Sequence, residues 1–302
     1  RRLSNYAVVA QAIDNRQIFL EPWQNVSILG TTDTDYYGDL DQVTATSDEV
    51  RYLIEAIRRV FPSIQNARAI HTFAGVRPTL YAYGPIPDKL SREHEIIDHA
   101  SHGKDGIYSM IGGKLASYRI FAQQMTDIVA ARLDCHQPSQ THLLPLPGGD
   151  ESLDAGELAK ICGIDPVAAR RLIYRHGSRA RLIAEQIVES KRTPRFICSC
   201  EAITEEEIRF VVRHEFVRCF EDLSRRTRLG LGPCAGLHCV LRAGAIVADE
   251  LGWTPSQGRS QALRLLLSSS FTRAVALGSA QARQEALLRA AIRAQVGWGQ
   301  EP

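Results

Sequence analysis

The sequence predicts an α+β protein, in which a mixed sheet with helices is followed by a purely helical region. Strand-type runs alternate with helical periodicity up to about residue 133, whereas the patterns beyond Pro145 are helical. The chain has 302 residues, 44% of them hydrophobic and 23% charged, so it can bury a core without disulfides. No apolar run reaches the roughly 18 residues of a membrane span. The net charge of +2 favours neither nucleic acid nor a membrane surface as a partner.

The first half contains short β-prone runs and two helical patterns. Strands are expected at residues 6–10, 17–20, 26–30, 67–74 and 107–111. Thr46 and Glu49 have the spacing of a capping box, so a helix is predicted to begin there and to end before Pro62. A second helix is expected to follow Gly112-Gly113-Lys114, with its apolar positions at Leu115, Tyr118, Phe121, Ala122 and Met125.

Two breaker clusters divide the chain. Residues 145–149 read Pro-Leu-Pro-Gly-Gly, and Thr193-Pro194 follows a helical stretch over residues 151–190. We therefore expect four segments, at residues 1–147, 148–192, 193–252 and 253–302, the last of which is an Ala-, Leu- and Arg-rich helical tail.

Four of the seven cysteines are clustered. No N-terminal signal-peptide pattern is present, so free thiols are expected and the cluster indicates a metal rather than disulfides. Cys198-x-Cys200 is separated by thirty-three residues from Cys234-x4-Cys239. Four thiolates can hold zinc or a [2Fe–2S] cluster, and the spacing favours iron only modestly. The alternative is that the four thiols are buried as small apolar groups.

Both cysteine pairs are predicted to lie near helix N-termini, where backbone N–H groups stabilise anionic sulfur. Residues 204–207, Thr-Glu-Glu-Glu, have the pattern of a capping box, and the turn at residues 230–233 precedes Cys234. Arg225, Arg226 and Arg228 either offset the negative charge of a cluster or lie on a solvated helix.

Three cationic residues stand beside backbone breaks: Arg77, Arg92 and Lys114. Arginine and lysine both bind phosphate, and a Gly-Gly turn that opens a helix exposes N–H groups to an anion. Each signal is weak alone, because most single cations are solvated or paired.

The region from Cys198 to Cys239 resembles the bacterioferritin-associated-ferredoxin-like (BFD-like) [2Fe–2S] domain. The resemblance rests on Cys198-Ser199-Cys200-Glu201-Ala202-Ile203-Thr204 and on residues 223–239, LSRRTRLGLGPCAGLHC. It implies that the cluster ligands are Cys198, Cys200, Cys234 and Cys239.

The preceding residues resemble the C-terminal half of FAD-dependent glycerol-3-phosphate dehydrogenases, of the anaerobic type with a DAO-type fold. The matching stretches are residues 19–23 (FLEPW), 28–36 (ILGTTDTDY), 74–78 (AGVRP), 91–94 (SREH) and 111–119 (IGGKLASYR).

This second resemblance implies site residues. Arg77, Arg92 and Lys114 would surround the substrate phosphate and the flavin ring, with Arg77 and Lys114 as catalytic residues. Gly112, Gly113, Lys114 and Leu115 would contact the isoalloxazine of FAD. Ser117 stands where many family members have threonine and keeps the hydroxyl group. His71 and His94 lie in or near the matching stretches, and neither is assigned as the general base.

The four segments are then expected to be the substrate- and flavin-contacting part, a helical linker, the BFD-like domain and the helical tail. The sequence has no Gly-x-Gly-x-x-Gly motif for the FAD pyrophosphate. We expect that motif in residues that precede this chain in a longer protein. The chain on its own would then be inactive.

The function implied is oxidation of sn-glycerol 3-phosphate to dihydroxyacetone phosphate by hydride transfer to FAD, with electrons leaving through the [2Fe–2S] cluster toward quinone. Partner subunits of a membrane-associated dehydrogenase complex are expected, with a cytoplasmic location at the inner face of the membrane. One alternative is a non-catalytic electron-transfer or redox-sensing module. The other is a related FAD enzyme that acts on another small anion.

Overall fold

The computed structural model describes residues 2–77, 79, 91 and 93–296. The chain divides into two compact units. One comprises residues 1–30, 44–73 and 146–302, and the other comprises residues 31–43 and 74–145. The four consecutive segments expected from the sequence remain a prediction.

The first unit begins with an antiparallel sheet of three strands in sequential order: β1 (Val8–Gln11), β2 (Gln17–Trp23) and β3 (Val26–Gly30). All three were expected from the sequence. Helix α1 (Ser47–Arg58) follows, and its capping box is present: the Thr46 hydroxyl accepts from the Glu49 N–H at 3.3 Å, and the Glu49 carboxylate accepts from the Thr46 N–H at 2.9 Å. Ile18 and Leu20 of β2 and Ile57 of α1 form a small buried core.

The second unit contains a hairpin and one long helix. Strands β4 (His94–Asp98) and β5 (Tyr108–Gly112) pair in antiparallel fashion, with His94 opposite Gly112. Helix α2 spans Tyr118–Arg132 after a single 3₁₀ turn at Leu115–Ser117. The expectation that Gly112-Gly113 opens the helix is therefore wrong, because the helix begins five residues beyond Gly113.

The strands differ from the sequence prediction at two further places. No strand covers residues 67–74; the carbonyl groups of Ala69 and Ile70 instead accept hydrogen bonds from the side chains of Gln281 and Arg273. Strand β4 was not expected, because the pattern around residues 91–98 does not alternate and the strand is defined by its pairing with β5.

The helical region begins with α3 (Ala155–Cys162), α4 (Pro166–His176) and α5 (Ala180–Glu189). Asp154 and Asp165 cap the first two helices with their carboxylates, and α3 ends at Gly163 in the left-handed conformation. The helical pattern expected over residues 151–190 is confirmed.

The cysteine-bearing region has a two-stranded sheet and three helices, which are followed by the helical tail. The elements are β6 (Phe196–Cys198), β7 (Ile203–Thr204), α6 (Glu205–His214), α7 (Phe220–Thr227), α8 (Val240–Leu251), α9 (Pro255–Arg273) and α10 (Ser279–Val296). One buried apolar core joins α3 to α9 and includes Cys198 and Cys239. Among the residues described, no helix combines the length and apolar character needed to cross a membrane.

Candidate functional site

Arg77 is held by a carboxylate from the start of the second unit. Its Nη1 lies 2.6 Å from Oδ2 of Asp33, and the two side chains are 33% and 19% exposed. Asp33 follows β3, so the ion pair links the segment after the N-terminal sheet to the Gly75-Val76-Arg77 loop. A guanidinium has five N–H donors, so one that is fixed by a carboxylate and partly exposed can still receive an anion.

The turn at residues 112–115 places a lysine and a leucine at the surface. Gly112 and Gly113 have φ values of +71° and +92°, which residues with a Cβ atom rarely adopt. The Ser117 hydroxyl donates to the Lys114 carbonyl at 2.8 Å and accepts from the Lys114 N–H at 3.3 Å. Leu115 is 91% exposed, so a large apolar side chain is available for a planar partner.

His94 lies against this turn. It is paired with Gly112 across the hairpin, its ring stacks on Phe121 with centroids 4.5 Å apart, and its Nε2 is 2.6 Å from Oε1 of Gln124. A Cβ built on Gly113 would be 3.4 Å from Phe121 and 3.5 Å from the His94 Cβ. His94 and Phe121 therefore pack against the turn, and Gln124 is hydrogen-bonded to the His94 ring.

Two other residues singled out by the sequence are not part of this arrangement. Arg92, expected at the substrate phosphate, lies outside the described residues. His71 belongs to the first unit, where its neighbours Ile70 and Thr72 bond to α9: the Ile70 carbonyl accepts from Arg273 and the Thr72 hydroxyl donates to the Thr272 carbonyl.

The structure brings the four cysteines of the two motifs together. Cys200 Sγ lies 3.7 Å from Cys234 Sγ, and Cys239 is close enough to Cys198 and Cys234 to perturb the pKa of both thiols. Cys198 and Cys239 are buried, whereas Cys200 and Cys234 are partly exposed. Cys239 directly precedes α8, as the sequence predicted.

The thiols have perturbed acidities. The neighbouring Cys239 thiol lowers the pKa of Cys198 and of Cys234, and these two sulfurs raise the pKa of Cys239. Burial raises the pKa of Cys200. Perturbed acidities of this kind arise when several thiols lie close together in a partly buried site.

The sulfur chemistry fits an iron–sulfur cluster, since four cysteine thiolates are its usual ligands. The backbone of Gly232 approaches Cys200 closely. A Cβ built on Gly232 would be 2.3 Å from the Cys200 Cβ and 3.1 Å from its Sγ. As the side chains stand, no group of three or more His, Cys, Asp or Glu in the described part of the chain could hold a metal ion. Cluster binding would require the thiols to lose their protons and to reorient.

A buried ion pair lies next to the loop that follows Cys200. Arg175 of α4 binds both carboxylate oxygens of Glu207, at 2.6 and 2.8 Å, and His176 Nε2 is 2.9 Å from Glu207 Oε1. Glu207 is fully buried. The capping box expected at residues 204–207 is therefore only half formed: the Thr204 hydroxyl caps the Glu207 N–H, but the Glu207 side chain turns to Arg175.

The arginines that precede the second cysteine pair bind acidic residues. Arg228 donates to the fully buried Glu201 carboxylate at 3.0 Å, and Arg225 donates to Asp222 at 2.7 Å. Arg226 donates to the Asp222 carbonyl at 3.2 Å. Sequence reasoning did not identify Arg175 or the ion-pair roles of Glu207 and Asp33, although the spacing of Arg171 and Arg175 places both on one helical face.

The fold defines the class. Residues 2–119 match the family model of FAD dependent oxidoreductases, and residues 139–258 match that of the C-terminal domain of alpha-glycerophosphate oxidase. A glycerol-3-phosphate dehydrogenase from Bacillus halodurans, solved in complex with FAD, superposes with a TM-score of 0.70 at 23% identity, over 91% of this chain and 55% of that one. The chain therefore has the fold of the corresponding part of a DAO-type FAD-dependent oxidoreductase.

The relatives by sequence are glycerol-3-phosphate dehydrogenases. A subunit of the anaerobic glycerol-3-phosphate dehydrogenase from Haemophilus influenzae is 33% identical over 246 residues, which are 80% of this chain and 43% of that protein. The corresponding Escherichia coli K12 protein is 32% identical, over 76% of this chain and 42% of its own. A Synechocystis glycerol-3-phosphate dehydrogenase is 30% identical, over 81% of this chain and 46% of that protein. The chain thus spans less than half the length of these curated relatives.

Proposed function

We propose that this chain is the substrate-contacting and electron-transferring part of a protein that oxidises sn-glycerol 3-phosphate to dihydroxyacetone phosphate. The observation that carries the proposal is the joint occurrence of two features in one chain. Residues 2–119 and 139–258 match two flavoenzyme families in chain order. Within the second match, four cysteines from separate segments lie together.

Arg77 would bind the substrate phosphate. Its guanidinium is held at one side by Asp33 and is a third exposed, so its exposed part can take a dianion. Arg92 is proposed as a second phosphate ligand because it lies in the matching sequence stretch. The carboxylate of Asp33 would keep Arg77 extended and in one orientation before substrate binds.

Gly112, Gly113, Lys114 and Leu115 would contact the flavin ring. Bound FAD supplies the hydride acceptor for carbon 2 of the substrate. Lys114 would stabilise negative charge as it develops on the substrate oxygen, and exposed Leu115 would cover the ring and exclude water. Ser117, by bonding both backbone groups of Lys114, would fix the turn that presents these side chains.

Cys198, Cys200, Cys234 and Cys239 would hold a [2Fe–2S] cluster, whose chemistry is the transfer of single electrons. The acceptors would be partner subunits of a membrane-associated complex and finally quinone, with this protein at the cytoplasmic face. The support is that two of the relatives described above, from Haemophilus influenzae and Escherichia coli, are named as subunits of an anaerobic dehydrogenase.

The activity is tested on the intact protein that contains this chain, purified without oxygen. Addition of sn-glycerol 3-phosphate should bleach the flavin absorption, whereas glycerol, which lacks the phosphate, should not. If a bound flavin is reduced by dithionite but not by glycerol 3-phosphate, the activity is refuted and a non-catalytic electron-transfer role is favoured. Bleaching by other hydroxy acids instead would favour the related enzyme on another small anion.

The cluster is tested separately. Cys234→Ser should abolish the visible iron–sulfur absorption and lower the iron content, because one thiolate ligand is lost. Cys135→Ser is the matched control, since Cys135 is an exposed thiol in the other compact unit. Full iron content in Cys234→Ser, or zinc in place of iron in the unaltered protein, would refute the ligand assignment.

A further inference from the structure

The C-terminal helices α9 and α10 hold a short segment that precedes the Arg77 loop. Residues 67–73 form no helix or strand, so their backbone groups need partners from elsewhere. Three side-chain hydrogen bonds join this segment to the tail. They run from Gln281 to the Ala69 carbonyl at 2.5 Å, from Arg273 to the Ile70 carbonyl at 3.4 Å, and from the Thr72 hydroxyl to the Thr272 carbonyl.

Arg273, the last residue of α9, is also fixed within the tail. Its Nε lies 2.5 Å from Oε1 of Glu285 in α10, and both side chains are buried. Arg289, one turn further along α10, lies 3.3 Å from the other carboxylate oxygen of Glu285. Because a buried ion pair is costly to break on one side, α9 and α10 present a fixed set of partners to residues 69–72.

The chain between this segment and Arg77 is exposed. Phe73 and Val76 are 73% and 56% exposed, and a Cβ built on Gly75 would meet nothing within 4 Å. Arg77 itself is held by Asp33. A stretch with few buried contacts is only weakly held by its own packing, so its course depends on the residues that anchor its two ends.

We propose that Thr72, Arg273 and Gln281 are positioning residues for the loop that carries Arg77. By fixing residues 69–72, the tail limits the positions that Arg77 can take and so favours binding of the substrate phosphate. The proposal rests on the phosphate role proposed above for Arg77.

The effect is transmitted along the chain. Residues 67–73 and the tail belong to one compact unit, and Arg77 follows Thr72 by five residues. Arg273 and Gln281 lie beyond residue 258, where the second of the two matching family models ends. These two tail residues therefore have no role in the family matches described above.

The variants separate these contacts from the stability of the tail. Thr72→Val combined with Gln281→Met removes two of the three hydrogen bonds, nearly preserves side-chain size and leaves the Arg273–Glu285 pair in place. Thr72→Ser keeps the hydroxyl group and is the conservative variant. Arg264→Gln is the control within the tail, because Arg264 of α9 binds α7 instead, through Glu221 at 3.2 Å.

Two measurements are made on the intact protein that contains this chain. Hydrogen–deuterium exchange with mass spectrometry reports the protection of residues 69–77, and steady-state kinetics report KM and kcat for sn-glycerol 3-phosphate. The double variant should exchange faster over residues 69–77. Its KM should rise about tenfold, which corresponds to about 1.4 kcal/mol, while kcat and flavin content stay unchanged. Thr72→Ser and Arg264→Gln should match the unaltered protein in both measurements.

Unchanged exchange in the double variant would overturn the anchoring by the tail, and an unchanged KM would overturn the positioning role. An equal rise in KM in Arg264→Gln would also overturn it, because the effect would then be a general one of the tail. If the double variant does not fold, Thr72→Val is compared with Thr72→Ser by the same criteria. Absence of glycerol 3-phosphate oxidation in the unaltered protein would refute the proposed function, and the positioning role with it, whereas the exchange data would still decide whether the tail anchors residues 69–72.

Discussion

Arg175 and Glu207 form a bidentate ion pair between α4 and α6, and their side chains are 2% and 0% exposed. The pair joins the helical segment before the cysteine motifs to the first helix after Cys200. The same guanidinium also donates to the Glu201 and Ala202 carbonyls, so one arginine connects two helices and the loop that follows Cys200. The site proposed for the cluster is thus supported by residues outside the cysteine motifs.

Glu207→Gln should destabilise the protein strongly. The substitution leaves Arg175 buried without its counter-charge, and breaking a buried ion pair on one side costs about 3–5 kcal/mol. The free energy of unfolding from urea denaturation measures the effect. Glu151→Gln is the control, because its partner Arg181 lies at 2.7 Å in a pair that is half exposed. Equal stabilities of the two variants would contradict the importance of the buried pair.

The same pair predicts a loss of stability in acid. Burial alone would raise the pKa of Glu207, but Arg175 and His176 outweigh it and hold the pKa below its ordinary value. A carboxyl group with a lowered pKa in the folded state stabilises that state above the unfolded pKa, about 4, and this contribution disappears as the pH falls through the folded value. Unfolding free energies measured from pH 6 downward should decline, and less steeply in Glu207→Gln. An identical slope in that variant would rule out Glu207 as a source of the decline.

Gly232→Ala should disturb the cysteine cluster. The added Cβ would stand 2.3 Å from the Cys200 Cβ, so the loop or the turn must move. Overpacking of this kind costs about 1–3 kcal/mol, and we expect lower iron content as well as lower stability. Gly278→Ala is the control, since a Cβ built there meets nothing within 4 Å. Normal iron content and stability in Gly232→Ala would show that the close approach is not required.

Arg77→Ala should weaken the binding of a phosphorylated substrate. Loss of a charged hydrogen bond costs about 2 kcal/mol, which corresponds to a rise of roughly 30-fold in KM for glycerol 3-phosphate. Steady-state kinetics of the intact protein measure this. Arg132→Ala, which removes an arginine paired with Asp105 in the same compact unit, should leave KM unchanged. An unchanged KM in Arg77→Ala would contradict the phosphate role.

Features that depend on neighbours along the chain could be predicted from the sequence alone. The N-terminal strands, the Thr46–Glu49 capping box and the helices over residues 155–189 follow from alternation, cap chemistry and helical spacing, which act over a few residues. The cysteine spacing likewise indicated a shared site, and the four thiols do lie together.

Features that depend on partners distant in the chain became visible with the packing of the elements. This packing replaced the strand expected at residues 67–74 with irregular backbone that bonds to the C-terminal helices, and it formed β4 through pairing with β5. It diverted Glu207 from its cap to Arg175, paired Arg77 with Asp33 and placed Arg171 on the Cys200 carbonyl. The physical reason is that burial makes an unpaired charge or carbonyl costly, and which partner satisfies it depends on which elements pack together.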